Sequence, residues 1–207
     1  MKYDVKNQER NLYLPKQKPV IVSVPEQKFI SLHGIGDPNG EGFKEKIETL
    51  YPVAYGLKFD YKKYSEDKDV EFDDYVVPPL EGVWSLTPAG QKLDHLDKNE
   101  FEYDIMIRIP DFIPAGLITL SIAATKEKKN PSLIDELEIK TYPAMEAAEI
   151  LHHGSYDEEP ASFLQIDEFV VANNKKRASK IHREIYLSDA RRVDKDKLKT
   201  VLRYRIK

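Results

Sequence analysis

An acid stands where a strand should be alternating apolar side chains. In Ile181-His182-Arg183-Glu184-Ile185-Tyr186-Leu187-Ser188, Glu184 and Tyr186 fall on one face, and Ile185 and Leu187 on the other. A carboxylate so placed can orient or deprotonate a water molecule, or balance a cationic ligand, and a phenol nearby can donate to a developing oxyanion. A strand with one face in water has the same pattern, so the pair gains weight only from the rest of the chain. Trp84, the single tryptophan, closes Leu80-Glu81-Gly82-Val83-Trp84, a few residues after Pro78-Pro79. Tyr103, Phe112 and Tyr156 stand at expected strand ends or turns, where rims are built. Aromatic rings there offer flat surface at little entropic cost, which suits planar ligands. The expected site has Glu184 and Tyr186 as catalytic residues, with Trp84, Tyr103, Phe112 and Tyr156 binding the substrate. Spacing alone does not choose a proton donor among Tyr103, Tyr156 and Tyr186.

Other constellations carry less. The histidines are His33, His95, His152, His153 and His182. Adjacent His152 and His153 point to opposite sheet faces and cannot chelate one ion, so neither a metal site nor a cofactor is expected. Glu158-Glu159-Pro160 reads as acidic charge at a helix start, where it favours the helix dipole. Asp189-Ala190-Arg191-Arg192 reads as a turn closed by salt bridges. Ser155 and Ser188 lack a nucleophile-elbow context. The glycines between Gly34 and Gly42 follow neither phosphate-binding pattern.

The chain that must position these groups has 207 residues, 41% hydrophobic and 33% charged, enough for one large domain or two small ones. With no cysteine, disulfides, thiolate metal sites and cysteine nucleophiles are excluded together, which fits a reducing, cytoplasmic setting. The polar N-terminus lacks a signal-peptide core, and no stretch approaches the roughly 20 apolar residues of a membrane span. A net charge of −4 gives no general attraction to nucleic acid. The expected partner is a planar hydrophobic small molecule, bound by a monomer or homodimer.

Two similar halves are legible. In the first, from about residue 20 to 110, Val20 to Val24 and Phe29 to His33 read as strands. A turn from Gly34 to Gly40 follows, then a helix carrying Phe43, Ile47, Leu50 and Ala54, with Pro52 expected to kink or shift it. Asp74 to Leu86 and Glu102 to Ile109 read as strands. A crossover helix, about 114 to 127, carries Leu117, Leu120 and Ala124. The second half, about 136 to 207, has a strand from Glu146 to His153 and a helix opened by Pro160 with Phe163, Ile166 and Val170 inward. Strands around Ile181 to Ser188 and Thr200 to Ile206 complete it. Leu32-His33-Gly34 precedes one helix and His152-His153-Gly154 the other. The expected fold is α+β, with duplicated β-α-β-β units forming a curved antiparallel sheet. Helices are expected on one face, and a ligand groove receiving Glu184 and Tyr186 on the other.

Three segments, Tyr103-Asp104-Ile105-Met106-Ile107-Arg108-Ile109-Pro110, His153-Gly154-Ser155-Tyr156-Asp157-Glu158-Glu159-Pro160 and Glu184 to Arg192, occur in the order in which they resemble the GyrI-like small-molecule-binding family, across the chain from about residue 20. The resemblance implies a single domain with a ligand groove between its halves and a glutamate near its centre, used in some relatives for lipophilic, often cationic, compounds. Glu184 matches that position. Many relatives carry a helix-turn-helix domain, and too few residues precede the first strand here to hold one, so a stand-alone member is expected. Leu80-Glu81-Gly82-Val83-Trp84 further resembles the tryptophan motif of the cyclopropanoid cyclopropyl hydrolases. These open the strained ring of yatakemycin-type DNA-alkylating natural products within an aromatic cage. The chain departs from them at Ser85, where relatives often carry a second tryptophan.

Overall fold

The computed structural model describes residues 2–68 and 74–207. Two short helices, α1 (Val5–Gln8) and α2 (Arg10–Tyr13), lead into β1 (Val20–Val24). The first half is β2 (Gln27–Ile35), α3 (Glu41–Lys68), β3 (Leu80–Leu86) and β4 (Phe101–Ile109). Helix α4 (Ala115–Lys129) and β5 (Glu138–Tyr142) connect it to the second, β6 (Met145–His153), α5 (Glu159–Ala172), β7 (His182–Tyr186) and β8 (Lys199–Arg205). All eight strands join one antiparallel sheet in the order β1-β6-β8-β7-β3-β4-β2-β5. The duplicated α+β plan is therefore present, and the halves meet where β3 pairs with β7.

Strand connectivity forces the sheet to curl. Strands β1 and β2 lie six positions apart in the sheet, about 29 Å if it were flat at ~4.8 Å per strand. Yet only Pro25 and Glu26 join them, a link spanning at most about 11 Å. Pro143 and Ala144 tie β5 to β6 in the same way. Side chains confirm the sense of the curl. Arg183 of β7 lies over the Tyr142 ring of β5 at 4.9 Å and donates to Gln27 Oε1 at 2.8 Å, so the face carrying Arg183 is the inside.

That inner face is filled. Helices α1 and α2 cover it, burying Val5, Leu12 and Tyr13 against Val22, Val24, Ala147, Ile185 and Val201. Polar links fasten the cover: Tyr13 donates to Glu81 at 3.1 Å, Arg108 to Glu9 at 2.7 Å, and Arg203 to the Leu12 carbonyl. Arg203 also donates to Glu149 at 2.7 Å, both side chains being fully buried. Each arginine thus keeps an acceptor where an unpaired buried charge would be costly.

The outer face carries the long helices. Ile30, Leu32, Trp84, Tyr103, Ile105 and Ile107 pack under α3, which presents Leu50, Val53, Ala54, Leu57 and Tyr61. Ala148, Ile150, Leu202 and Tyr204 pack under Ile166 and Val170 of α5. Helix α3 runs through Pro52 to Lys68; burial along this face outweighs the roughly 3 kcal/mol an interior proline costs. Two features depart from the sequence reading. Strand β3 begins only at Leu80, after Pro78-Pro79, because proline has no N–H for the ladder. Strand β5 and helices α1 and α2 are additional elements, too short for their periodicity to stand out.

Candidate functional site

The site lies on the seam between the halves. Register sets Gly82 opposite Glu184 and Trp84 opposite His182, so Gly82, Trp84, His182, Glu184 and Tyr186 share the outer face. Glu184 and Tyr186 were expected on the face away from the helices. They lie instead on the helix-bearing face, between α3 and α5, because the inner face of these strands carries Glu81, Arg183 and Ile185.

Glu184 is 8% exposed and is the acceptor at the centre of the cluster. Tyr186 donates its hydroxyl to Glu184 Oε2 at 2.8 Å, and His182 Nε2 bonds Oε1 at 2.9 Å. Trp84 Nε1 donates to the Tyr186 hydroxyl at 2.9 Å. That bond passes over Gly82, where a Cβ would stand 2.5 Å from Trp84 Nε1 and 3.1 Å from the Tyr186 oxygen. Glycine is therefore required for the two rings to meet. Burial, followed by the charge and bond of Glu184, raises the Tyr186 pKa well above the usual tyrosine value.

Aromatic rings wall the cluster. Phe43 of α3 stacks on Trp84 with centroids 5.9 Å apart, and Tyr103 and Phe101 contact the same indole at 4.9 and 5.6 Å. Phe163 of α5 meets the His182 ring at 4.8 Å. Tyr156, 41% exposed, stands at the rim with its ring 6.0 Å from that of Tyr186. Burial first, then the charges of Glu184 and Glu159, raise its hydroxyl pKa to about 12. His152 fixes this rim, bonding Ser162 of α5 at 2.8 Å through Nδ1 and the Ser155 carbonyl at 3.0 Å through Nε2.

Trp84, Tyr103, Tyr156, Glu184 and Tyr186 therefore come together, with Tyr103 buried behind Trp84. Phe112 does not join them: it packs with Tyr3, Tyr61 and Tyr75 at 5.3, 5.5 and 5.8 Å, beyond the far end of β4. Glu159, read from the sequence as helix-start charge, belongs to the site. It is 7% exposed, one turn of α5 before Phe163, which meets His182 of β7, and burial, followed by the charge of Glu184, raises its pKa to about 10. Its neighbour Glu158 instead caps the short 3-10 turn before α5, accepting from the Ser155 amide at 3.0 Å. His182 was also passed over, although its position two residues before Glu184 on the same strand was the available signal.

Grooves of about 270 Å³ lie elsewhere, between α3 and α4 beside Tyr64 and Leu120, and beside Lys28 and Ile109. At the seam Phe43 covers the Trp84 indole and Glu184 is nearly buried. Among the described residues no His, Asp or Glu cluster is arranged to hold a metal ion, and no helix is long and apolar enough to cross a membrane.

A curled antiparallel sheet of two matching halves, with a buried acid and aromatic walls at their seam, defines an α+β domain of the small-molecule-binding type. The chain belongs to the GyrI-like small molecule binding domain family, whose model matches residues 17–207. It is similar over the full length of both chains to solved structures from Listeria innocua. One is an uncharacterized conserved protein at 29% identity and TM-score 0.85. Two are described as hydrolases, at 27% and 28% identity with TM-scores of 0.83 and 0.85. A comparison with curated proteins gave no match.

Proposed function

We propose that this protein binds planar, strained electrophiles at the seam and hydrolyses them, adding water across the cyclopropane of yatakemycin-type compounds and so protecting the cytoplasm that holds it. The observation that carries this reading is the buried Glu184, held by Tyr186 and His182 and walled by Trp84, Phe43 and Tyr156. The hydrolase description of two full-length Listeria innocua relatives supports the reaction class.

In the proposed step the water oxygen bonds to a ring carbon and the ring C–C bond breaks. Its electron pair flows through the conjugated system to the carbonyl oxygen, giving a phenolate. Glu184 takes the proton released by water. A tyrosine hydroxyl hydrogen-bonds the developing phenolate, which then takes its proton from solvent as Glu184 releases the one it took. Tyr156 suits that role best. Tyr186 already donates to Glu184, Tyr103 is buried behind Trp84, and Tyr156 stands exposed at the rim. Its raised pKa keeps it a neutral donor at physiological pH.

A second reading is sequestration without turnover, favoured by the two nearly buried carboxyls, Glu184 and Glu159, which suit a lipophilic cation among aromatic rings. Incubation of the purified protein with a yatakemycin-type cyclopropanoid separates the two. Gain of one water per small molecule over many turnovers supports hydrolysis. Saturable binding with the ligand mass unchanged supports sequestration and overturns hydrolysis of this class.

A further inference from the structure

Glu159 is the acid of the first turn of α5, while Glu158 and Ser155 make the capping bonds of the short 3-10 turn just before it. The groups facing it are Glu184 and Tyr186 from β7, and Tyr156 and Asp157 from the turn before α5; His182 lies beyond Glu184, bonded to its Oε1. The charges acting on Glu159, those of Glu184 and Asp157, are both negative. Its Oε1 is buried without a hydrogen-bond partner. The α5 dipole favours an anion there, but too weakly to hold two buried carboxylates in contact. A glutamine would fit the same space without the electrostatic cost. An acid kept at such a position lowers stability, which is the usual mark of a group retained for function.

We propose that Glu159 and Glu184 work as a carboxyl pair sharing one proton, with Glu159 the donor and Glu184 the acceptor, and that Glu159 thereby positions Glu184 towards the ligand. This rests on the reading of Glu184 as the group that receives a proton from water. With one proton on the pair, Glu184 is free to accept a second during turnover. With none, the two carboxylates repel and Glu184 turns from its bonds to Tyr186 and His182.

Thermal unfolding across pH tests the pair without any substrate. The folded-state pKa of Glu159 is raised above its unfolded value of about 4.5, so its contribution is fully favourable below that pH and is lost as pH climbs towards about 10. Glu159→Gln abolishes that dependence. The two proteins should melt together near pH 4.5, and the variant should melt progressively higher, by several degrees at pH 8 to 9. Glu184→Gln should flatten the wild-type curve in part, because it removes the charge of Glu184 and leaves the burial of Glu159 in place. Parallel curves for wild type and Glu159→Gln, or a curve that Glu184→Gln does not move, overturn the pair.

Turnover tests the positioning role. Glu159→Gln, which still donates to Glu184 but has no proton to lose, should show no alkaline fall in rate. Glu159→Ala should lower kcat at least tenfold. Equal rates and equal pH profiles for all three proteins overturn the role. If Glu184→Gln hydrolyses normally, the function proposed above fails while the melting curves still decide the pair. If Glu184→Gln is inactive but the curves run parallel, only the pair fails.

Discussion

Tyr186 and Glu184, two positions apart on β7, are joined by an O–H···O bond of 2.8 Å. Neighbouring same-face side chains along a strand usually stand side by side, perpendicular to the sheet. Here the phenol is drawn over by its second bond, from Trp84 on the adjacent strand at 2.9 Å. The acid is thereby tied to the indole through one hydroxyl, so a shift of the indole reaches the bonding of Glu184.

Gly82→Ala tests that tie. The new methyl group would meet Trp84 Nε1 at 2.5 Å, so the Trp84–Tyr186 bond breaks or the rings shift. Overpacking of this kind costs about 1–3 kcal/mol. The expected outcome is a lowered Tm with altered Trp84 emission. Gly116→Ala in α4, where a Cβ meets nothing within 4 Å, should leave both unchanged or raise Tm slightly. An unshifted emission in Gly82→Ala would mean the indole is not held over that glycine.

The filled inner face makes a different prediction. Arg203 and Glu149 are bonded at 2.7 Å with both side chains fully buried, so removing one leaves the other uncompensated. Arg203→Met or Glu149→Leu alone should cost about 3–5 kcal/mol, and the double variant clearly less than the sum. Chemical denaturation of the four proteins measures the coupling. Additive losses would show that the pair is not coupled in the folded protein.

Acid stability should depend on Asp104. Burial works against its carboxylate, but bonds from Lys140 at 2.7 Å, Tyr142 at 2.9 Å and His33 at 3.2 Å outweigh it and hold its pKa below the usual value. A lowered folded-state pKa contributes stability above the unfolded value of about 3.9, lost as pH falls through the folded one. Asp104→Asn should therefore be less stable than wild type at pH 7, with the deficit shrinking below pH 4. A deficit independent of pH in thermal melts would assign the loss to packing alone.

Much of this arrangement was legible in the sequence, and the gaps have physical causes. Period-two alternation placed Glu184 and Tyr186 on one face and Ile185 on the other, and the paired His-Gly turns marked the two halves. Alternation separates faces without saying which one the helices take. Nothing in the sequence next to Arg183 and Arg203 marks the distant partners, Gln27 and Glu149, that bond them inside the curl. Glu158 and Glu159 are alike in sequence, yet the ~100° between neighbouring residues at the start of α5 sends the first to the Ser155 amide and the second towards Glu184. Phe112 follows Pro110 at a strand end as a rim residue would, but β4 ends far from the seam and delivers it to Tyr3, Tyr61 and Tyr75.

The central claim is that Glu184, at the seam, activates water for a ligand resting on Trp84. Trp84 is the chain's single tryptophan, so its fluorescence reports binding while the mass of the small molecule reports turnover. The decisive measurement follows both for wild type and Glu184→Gln with one yatakemycin-type cyclopropanoid. The expected result is matching ligand-induced change at Trp84 in both proteins, with water addition reduced at least ~100-fold in the variant, the scale of a lost general base. Undiminished water addition by Glu184→Gln would contradict the account.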